Sequence, residues 1–490
     1  MKRVLALALL VAVAAAAFFV FRPRSPEPAN PEHANAAERR AGKEMSREVE
    51  RQNGLYAAPA QTWVDAVGKR LVSRLSPDVQ RAWDFHFEIV DQLEPNAFAL
   101  PGGQIYVTRG LLPLVVEEDE LAGVLAHEVS HVTEHHAGRR LRRAILPALL
   151  SLPGKIVGVF EPALGTLIAA PWEVMGALHL ASYSREQESD ADRLGVALAA
   201  RSGYDPRALE RILARLEKDA ARLSGKEHRP SFFDDHPSTP TRERDIGREA
   251  SQITWSREAP LKSSPDVVAA LDGVVWGGNP AQGVFRDELF LHPDLGFAVQ
   301  FPGGWRTVNT ASAVCATRGE DAEISISAAA GQKDPEAQGH ELSNQLRREG
   351  LEPDEEGVVA VDGFPGYFLH VVDANQDASV LWLEIGGRTL AAVGLGARSD
   401  RPAITSSLLS LRRITDEERR SIPVVRLHAA RAVAGETLAR IGSRLANVWP
   451  PSYTAMVNGL SEDAVLQARD VVKIALREPY APASIRGRAP

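Results

Sequence analysis

Two histidines four residues apart constrain this chain more than any other feature. They lie in Leu125-Ala126-His127-Glu128-Val129-Ser130-His131. Around them Leu121, Val124, Leu125, Val129 and Val132 recur at three- and four-residue spacing, which predicts a helix. Glu117, Glu118, Asp119 and Glu120 stand at its start, where the positive end of a helix dipole favours carboxylates. On that helix His127 and His131 share one face and can present both imidazoles to one ion. Glu128 stays beside the same ion without ligating it, the place a general base needs. The next residues, Glu134, His135 and His136, resemble a solvated polar face. The single cysteine, Cys315, excludes intrachain disulfides, an all-cysteine zinc site and an iron–sulfur cluster. Any metal must therefore sit on carboxylates and on some of the 13 histidines.

A carboxylate partner is available downstream. The segment Tyr183-Ser184-Arg185-Glu186-Gln187-Glu188-Ser189-Asp190-Ala191-Asp192 contains Glu188 and Asp192 one helical turn apart. Glu188 can ligate while Asp192 hydrogen-bonds a ligating imidazole and fixes its tautomer. Glu186 and Asp190 have the same spacing and form a rival register. Two histidines and one glutamate leave a fourth tetrahedral position open, as in catalytic rather than structural zinc sites.

These motifs resemble the gluzincin metallopeptidases that include HtpX and the CAAX prenyl protease, and within them the periplasmic BepA-like branch. The resemblance covers about residues 36–250. It is carried by Asn96-Ala97-Phe98-Ala99-Leu100-Pro101-Gly102-Gly103, the His-Glu-x-x-His helix, Ala191-Asp192-Arg193-Leu194-Gly195, Ser202-Gly203-Tyr204-Asp205-Pro206 and Asp235-His236-Pro237-Ser238-Thr239-Pro240-Thr241-Arg242. It implies one zinc ion held by His127, His131 and Glu188, with Asp192 behind a ligand and Glu128 as general base. It makes His236 a residue that faces the metal, either capping the open position at rest or donating to the oxyanion. It makes Arg242 an oxyanion or substrate contact. It places an extended substrate along a strand edge at Asn96, Phe98, Ala99, Gly102 and Gly103.

At 490 residues the chain exceeds one ordinary core, since domains run to about 100–200 residues. Lys2 and Arg3 precede an unbroken apolar run from Val4 to Phe21, so residues 1–24 read as a signal peptide or membrane anchor. Residues 25–37, with Pro26, Pro28 and Pro31, read as a linker, 38–255 as the metallopeptidase domain, and 256–284 as a second linker. Between the two site motifs, residues 145–180 are unusually apolar. Lys155, Glu161 and Glu173 interrupt them, so they read as buried or interfacial helices beside the cleft rather than as spans.

The segment from Leu291 to Trp305 resembles the opening of a PsbP-like α+β domain, assigned to 285–415. Gly435-Glu436-Thr437-Leu438, Val457-Asn458-Gly459-Leu460 and Asp470-Val471-Val472-Lys473-Ile474 resemble a degenerate LysM module, assigned to 424–480. Arg469-Asp470 stands where that module usually has a Pro-Gly turn. The expected fold is multidomain α+β: a mostly helical zincin catalytic domain with a small sheet, then two small accessory units.

With a formal charge of −8 and a pI near 6.0, nothing suggests a nucleic-acid partner. The resemblance implies a zinc-dependent endopeptidase of the bacterial cell envelope, periplasmic and exported, associated with the membrane through residues 4–21. Its substrates would be unfolded or extended polypeptides, especially misassembled envelope or outer-membrane proteins. Peptidoglycan and the outer-membrane assembly machinery are the further partners it implies. Two alternatives are a metal-binding chaperone or assembly scaffold with vestigial proteolysis, and a peptidoglycan-targeted hydrolase.

Overall fold

The computed structural model describes residues 31–140, 182–223, 232–237, 241–258, 266–319, 321–329, 334–372 and 377–481. The apolar run Val4–Phe21 and the apolar stretch 145–180 lie outside these residues. Among the described residues no helix is long and apolar enough to cross a membrane.

The first unit opens with helices α1 (Pro31–Asn53), α2 (Pro59–Val72) and α3 (Pro77–Ala82). The linker expected over 25–37 therefore gives way to helix at Pro31. Proline is tolerated in a first turn, where its missing N–H would have had no helical partner. Strands β1 (His86–Val90), β2 (Ala97–Ala99) and β3 (Gln104–Thr108) form a sheet in the order β1-β3-β2, with β1 parallel and β2 antiparallel to β3. A 3-10 turn, Leu112–Leu114, leads into α4 (Glu118–Thr133). Helices α5 (Arg185–Arg201), α6 (Ala208–Leu223), α7 (Phe232–Asp235) and α8 (Arg242–Gln252) complete the unit.

Helix α4 is buried on every side from Asp119 to Val132. Its apolar residues join Trp63, Val64, Val67 and Leu71 of α2 and Phe87 and Ile89 of β1 in one core. Its buried carboxylates are all partnered at this end: Asp119 accepts from the Asp205 backbone N–H at 2.6 Å, and Glu120 is bound by Arg215. Such pairing is what lets charge persist inside a core.

From Asp266 onward, the segment expected as a second linker is structured. Val267, Ala270, Leu271 and Val274 recur at helical spacing, form α9 (Val267–Ala270) and its exit, and bury into the same core. Strand β4 (Val275–Trp276) then pairs with a strand from the far end of the chain. Gly273 and Gly277, with φ of 80° and 83°, make the turns of this segment.

Strands β5 (Val284–Arg286), β6 (Leu289–His292) and β7 (Phe297–Gln300) lie against a seven-stranded antiparallel sheet. That sheet comprises β8 (Arg306–Asn309), β9 (Ala313–Arg318), β10 (Ala322–Ala328), β11 (Glu355–Val361), β12 (Phe364–Val372), β13 (Asp377–Ile385) and β14 (Arg388–Gly396). Helix α10 (Pro335–Arg348) covers one face, and α11 (Arg401–Leu409) packs against β13 and β14. The interior strand β13 is buried on both faces. Ala378, Val380 and Trp382 meet α10, whereas Leu381, Leu383 and Ile385 meet the core of β6 and β7, the period-two pattern of a covered strand.

After β15 (Arg412–Arg413) and α12 (Asp416–Arg420) comes a strand–helix–helix–strand unit. It contains β16 (Pro423–Arg431), β17 (Glu436–Thr437), α13 (Leu438–Leu445), α14 (Pro451–Val457), β18 (Val465–Leu466) and β19 (Val471–Pro479). Strands β16 and β19 pair antiparallel from Pro423↔Pro479 to Arg431↔Val471, and β4 adds to β16. Leu427, Trp449, Tyr453, Val457 and Ala475 of this unit belong to the first unit's core.

Candidate metal centre

The helical spacing of α4 turns His127 and His131 to one side, with their Nε2 atoms 3.0 Å apart. Helix α5 supplies the carboxylates. Ser184 and Gln187 form a reciprocal capping box that fixes where α5 starts and hence its rotation. Glu188 then reaches His131 Nε2 at 3.3 Å and His127 Nε2 at 3.7 Å, while Asp192 lies 3.0 Å from His127 Nδ1. The rival register faces outward: Glu186 is exposed, and Asp190 pairs with Arg193 at 3.5 Å on the surface.

His236 follows the one-turn helix α7, its ring stacked on Phe232 at 4.3 Å. Its Nδ1 lies 3.3 Å from His127 Nε2 and 3.1 Å from Glu188, and its Nε2 is 3.3 Å from the Ala97 carbonyl. One ligand atom from each of His127, His131, Glu188 and His236 falls within 4.8 Å of the others. Three imidazole nitrogens and a carboxylate converge there, and so many acceptors cannot satisfy one another with protons alone. Imidazole nitrogen and carboxylate oxygen are the donor set that zinc takes, so the residues fit that ion.

Glu128 is entirely buried, and neither of its oxygens has a hydrogen-bond partner among the described residues. Its nearest ring nitrogen is His236 Nε2 at 3.5 Å. Burial, reinforced by the charge of Glu188 and opposed by His127, pushes its carboxyl up to about 8. Burial also holds the His131 imidazole well below its usual range, so the ring is neutral and able to ligate.

Four residues missed in the sequence support this centre. His135 takes a left-handed conformation, φ 55°, which ends α4 and turns His136 back inward. His136 is buried rather than solvated, and its Nδ1 sits 3.1 Å from His131 Nδ1. Burial and Arg139 bring it down to about 4, so it stays neutral and can accept the His131 Nδ1 proton. That bond leaves the His131 Nε2 lone pair facing the cluster. Tyr183 stacks on the other face of His131 at 3.8 Å. Arg140 lies over the Tyr183 ring at 4.8 Å and pairs with Asp235, which in turn accepts from Asn96 Nδ2 at 2.9 Å. None of these has a spacing signal, because a left-handed histidine and a stacked tyrosine follow from tertiary packing.

Arg242 differs from the expected oxyanion or substrate contact. Its guanidinium holds Asp192 through two bonds of 2.8 Å, pairs with Glu188 at 2.8 Å and donates to the His236 carbonyl at 3.2 Å. It is buried behind the cluster and braces the two carboxylates. The expected substrate residues also divide. Asn96 is buried, with its side chain on Asp235. Phe98 stacks on Tyr106 and packs under α1 with Val49 and Leu100. Gly102 and Gly103 have φ of +89° and +112°, and a side chain there would strike Arg39 and Asp84 backbone at 2.5 and 2.7 Å. They serve a turn and close packing. Ala99 keeps an edge position: the β2–β3 bonds run through Asn96 and Leu100, so Ala97 and Ala99 turn their backbone groups to the outer edge, toward His236. Cys315 is buried in β9 far from this cluster in sequence, and burial pushes its thiol up to about 11.

Residues 58–250 match the model of Peptidase family M48. This segment is similar to M48 peptidases. The beta-barrel assembly-enhancing protease of Escherichia coli (strain K12) is 33% identical over 220 residues, 42% of this chain and 42% of that protein. The mitochondrial metalloendopeptidase OMA1 of Schizosaccharomyces pombe is 31% identical over 212 residues, 42% of this chain and 55% of that protein. The chain thus spans about half the length of the curated relatives it matches. Among solved structures, cyanobacterial PsbP from Synechocystis sp. PCC 6803 aligns at 12% identity with a TM-score of 0.22. That alignment covers 27% of this chain and 95% of that one.

Within the matched segment Gly195 sets how closely α5 approaches α4. A Cβ there would lie 2.9 Å from the His127 amide nitrogen and 3.0 Å from its Cα. Alanine would gain about 1 kcal/mol in helix propensity but would push against backbone, where overpacking costs about 1–3 kcal/mol. Gly195→Ala is therefore expected to lower the melting temperature and weaken zinc binding, read by calorimetry with and without zinc. A higher melting temperature would show that the helices are not in contact at this point.

Proposed function

We propose that this chain is a zinc-dependent endopeptidase of the bacterial cell envelope that cuts unfolded or misassembled polypeptides. The observation that carries the reading is Glu128, a wholly buried carboxylate without a hydrogen-bond partner among the described residues, placed beside His127, His131 and Glu188. A scaffold would have no need to keep an acid there at such desolvation cost.

Zinc, when bound, supplies the positive charge that polarises the scissile carbonyl and acidifies the attacking water. Glu128 takes the proton from that water and delivers it to the leaving amine. Asp192 and His136 hold the outer nitrogens of His127 and His131, keeping each Nε2 free to ligate. Arg242 offsets the charge of Asp192 and Glu188. His236, with Nε2 between the Ala97 carbonyl and Glu128, is placed to donate to the developing oxyanion. The outer edge of β2 offers backbone at Ala97 and Ala99 to an extended peptide. Recognition through backbone reads few side chains and favours broad cleavage of unfolded chains.

The name of the Escherichia coli relative couples protease action to β-barrel assembly, and we extend that substrate class, misassembled outer-membrane proteins, to this chain. The run Val4–Phe21 supports export and attachment to the membrane. We assign 285–415 and 424–480 as accessory units, the first PsbP-like and the second LysM-like.

The test uses full-length protein on unfolded β-casein, on a tightly folded control protein and on purified sacculi. Casein should be cut in a chelator-sensitive manner while the folded protein and the sacculi stay intact. Release of wall peptides, or equal cutting of the folded protein, would contradict the assignment.

A further inference from the structure

Lys473 of β19 is one of the largest fully enclosed side chains, where lysine is almost never found without a partner. Its Nζ donates to the carbonyls of Pro113 at 2.9 Å and Val115 at 2.5 Å. Those carbonyls belong to the turn that launches α4. Arg215 of α6 donates to the carbonyl between them, Leu114, at 2.8 Å and binds both oxygens of Glu120. Glu120 in turn accepts from the Val116 amide at 2.8 Å. Side chains thus hold the carbonyls of Pro113, Leu114 and Val115 and the next amide, and Lys473 makes two of those bonds.

The lysine is itself fixed. Asn458, just beyond α14, accepts from the Lys473 amide at 2.7 Å and donates to its carbonyl at 2.9 Å. The charged groups facing the ammonium are Arg215 and Glu120. Burial, with Arg215 adding to it, brings the amine down to about 7. Docking alone does not require a lysine here, because Trp449, Tyr453, Val457 and Ala475 already bury the unit against the peptidase core. An apolar side chain would fill the slot without the desolvation cost but would leave two buried carbonyls unpartnered.

We propose that Lys473 is a positioning residue for the catalytic helix, which makes the C-terminal unit a built part of the peptidase. Val115 precedes His127 by twelve residues of turn and helix, and a rotation or slip of α4 at its start moves His127 and Glu128 with it. The inference rests on the peptidase reading for its kinetic arm only.

The test compares full-length wild type, Lys473→Met and Lys473→Arg for zinc content, casein kinetics and amide hydrogen exchange. Lys473→Met should keep one zinc and lose about tenfold in kcat, with KM within about twofold, as misplacement of catalytic groups does. Lys473→Arg, which retains donors and charge, should stand above it. In Lys473→Met, exchange should rise at residues 116–121 and remain unchanged in β12–β14. Unaltered exchange at 116–121, or an unaltered kcat in an active enzyme, overturns the proposal. So does exchange that rises throughout the fold, since Lys473 would then serve stability alone. If wild type cuts nothing, the peptidase reading has failed, and the exchange comparison still decides the role of Lys473.

Discussion

Glu128→Gln should lower kcat on unfolded polypeptide by about 10³-fold while KM and zinc content stay unchanged, the signature of a lost general base. Glutamine fills the same space beside His127 and His131, so the variant separates proton transfer from metal binding. A residual activity within tenfold of wild type would place the base elsewhere. The substitution should also change stability in metal-free protein. Burial raises the Glu128 carboxyl from 4.5 to about 8, so the folded state holds a proton that the unfolded chain has released. That contribution is full below the unfolded value and is lost as pH rises through the folded value. Metal-free wild type should therefore weaken between about pH 5 and pH 8 relative to Glu128→Gln. Parallel melting curves across that window would show that Glu128 is already ionised in the metal-free fold.

Glu188→Ala should be the more damaging change for the metal. It removes the carboxylate that stands within 3.3 Å of His131 and 3.1 Å of His236. It also leaves Arg242, otherwise paired to Glu188 at 2.8 Å, held by the Asp192 carboxylate, so the cluster loses a negative charge that favours a bound cation. Removing an outer partner of a ligand costs about 10–100-fold in metal affinity, so a lost ligand should exceed about 100-fold, or about 2.7 kcal/mol. Competition against a chromogenic chelator measures this directly, with Asp192→Asn as the milder comparison. An affinity within tenfold of wild type would remove Glu188 from the ligand set and promote His236 in its place.

The helix α4 and the pair His127 and His131 were legible because spacing alone places them. The choice of Glu188 over Glu186 was not made by spacing, since both have a carboxylate four residues on. It was nonetheless written nearby: Ala191, Gly195 and Ala199 form a stripe of small residues on the buried face, and Glu188 and Asp192 fall on it. The expectation of a second linker rests on turn residues, whereas the spacing of Val267, Ala270, Leu271 and Val274 marks a buried helical face at its C-terminal part. Gly102 and Gly103 looked like features of a substrate edge, and their positive φ and tight neighbours give them a packing task instead.

Other features had no local signature. His136 points inward only because His135 takes a left-handed turn usually made by glycine. Lys473 alternates with buried Val472 and Ile474, so a two-faced strand would send it to solvent. The turn at Pro113–Val115 covers that face, and only the packed chain reveals it.

The most direct measurement is a zinc titration of demetallated full-length protein, reading casein cleavage at each addition. Activity should be absent at zero zinc, rise linearly and break at one equivalent per chain. Cleavage that persists in metal-free protein, or that never appears at any zinc content, would contradict a single zinc centre served by Glu128.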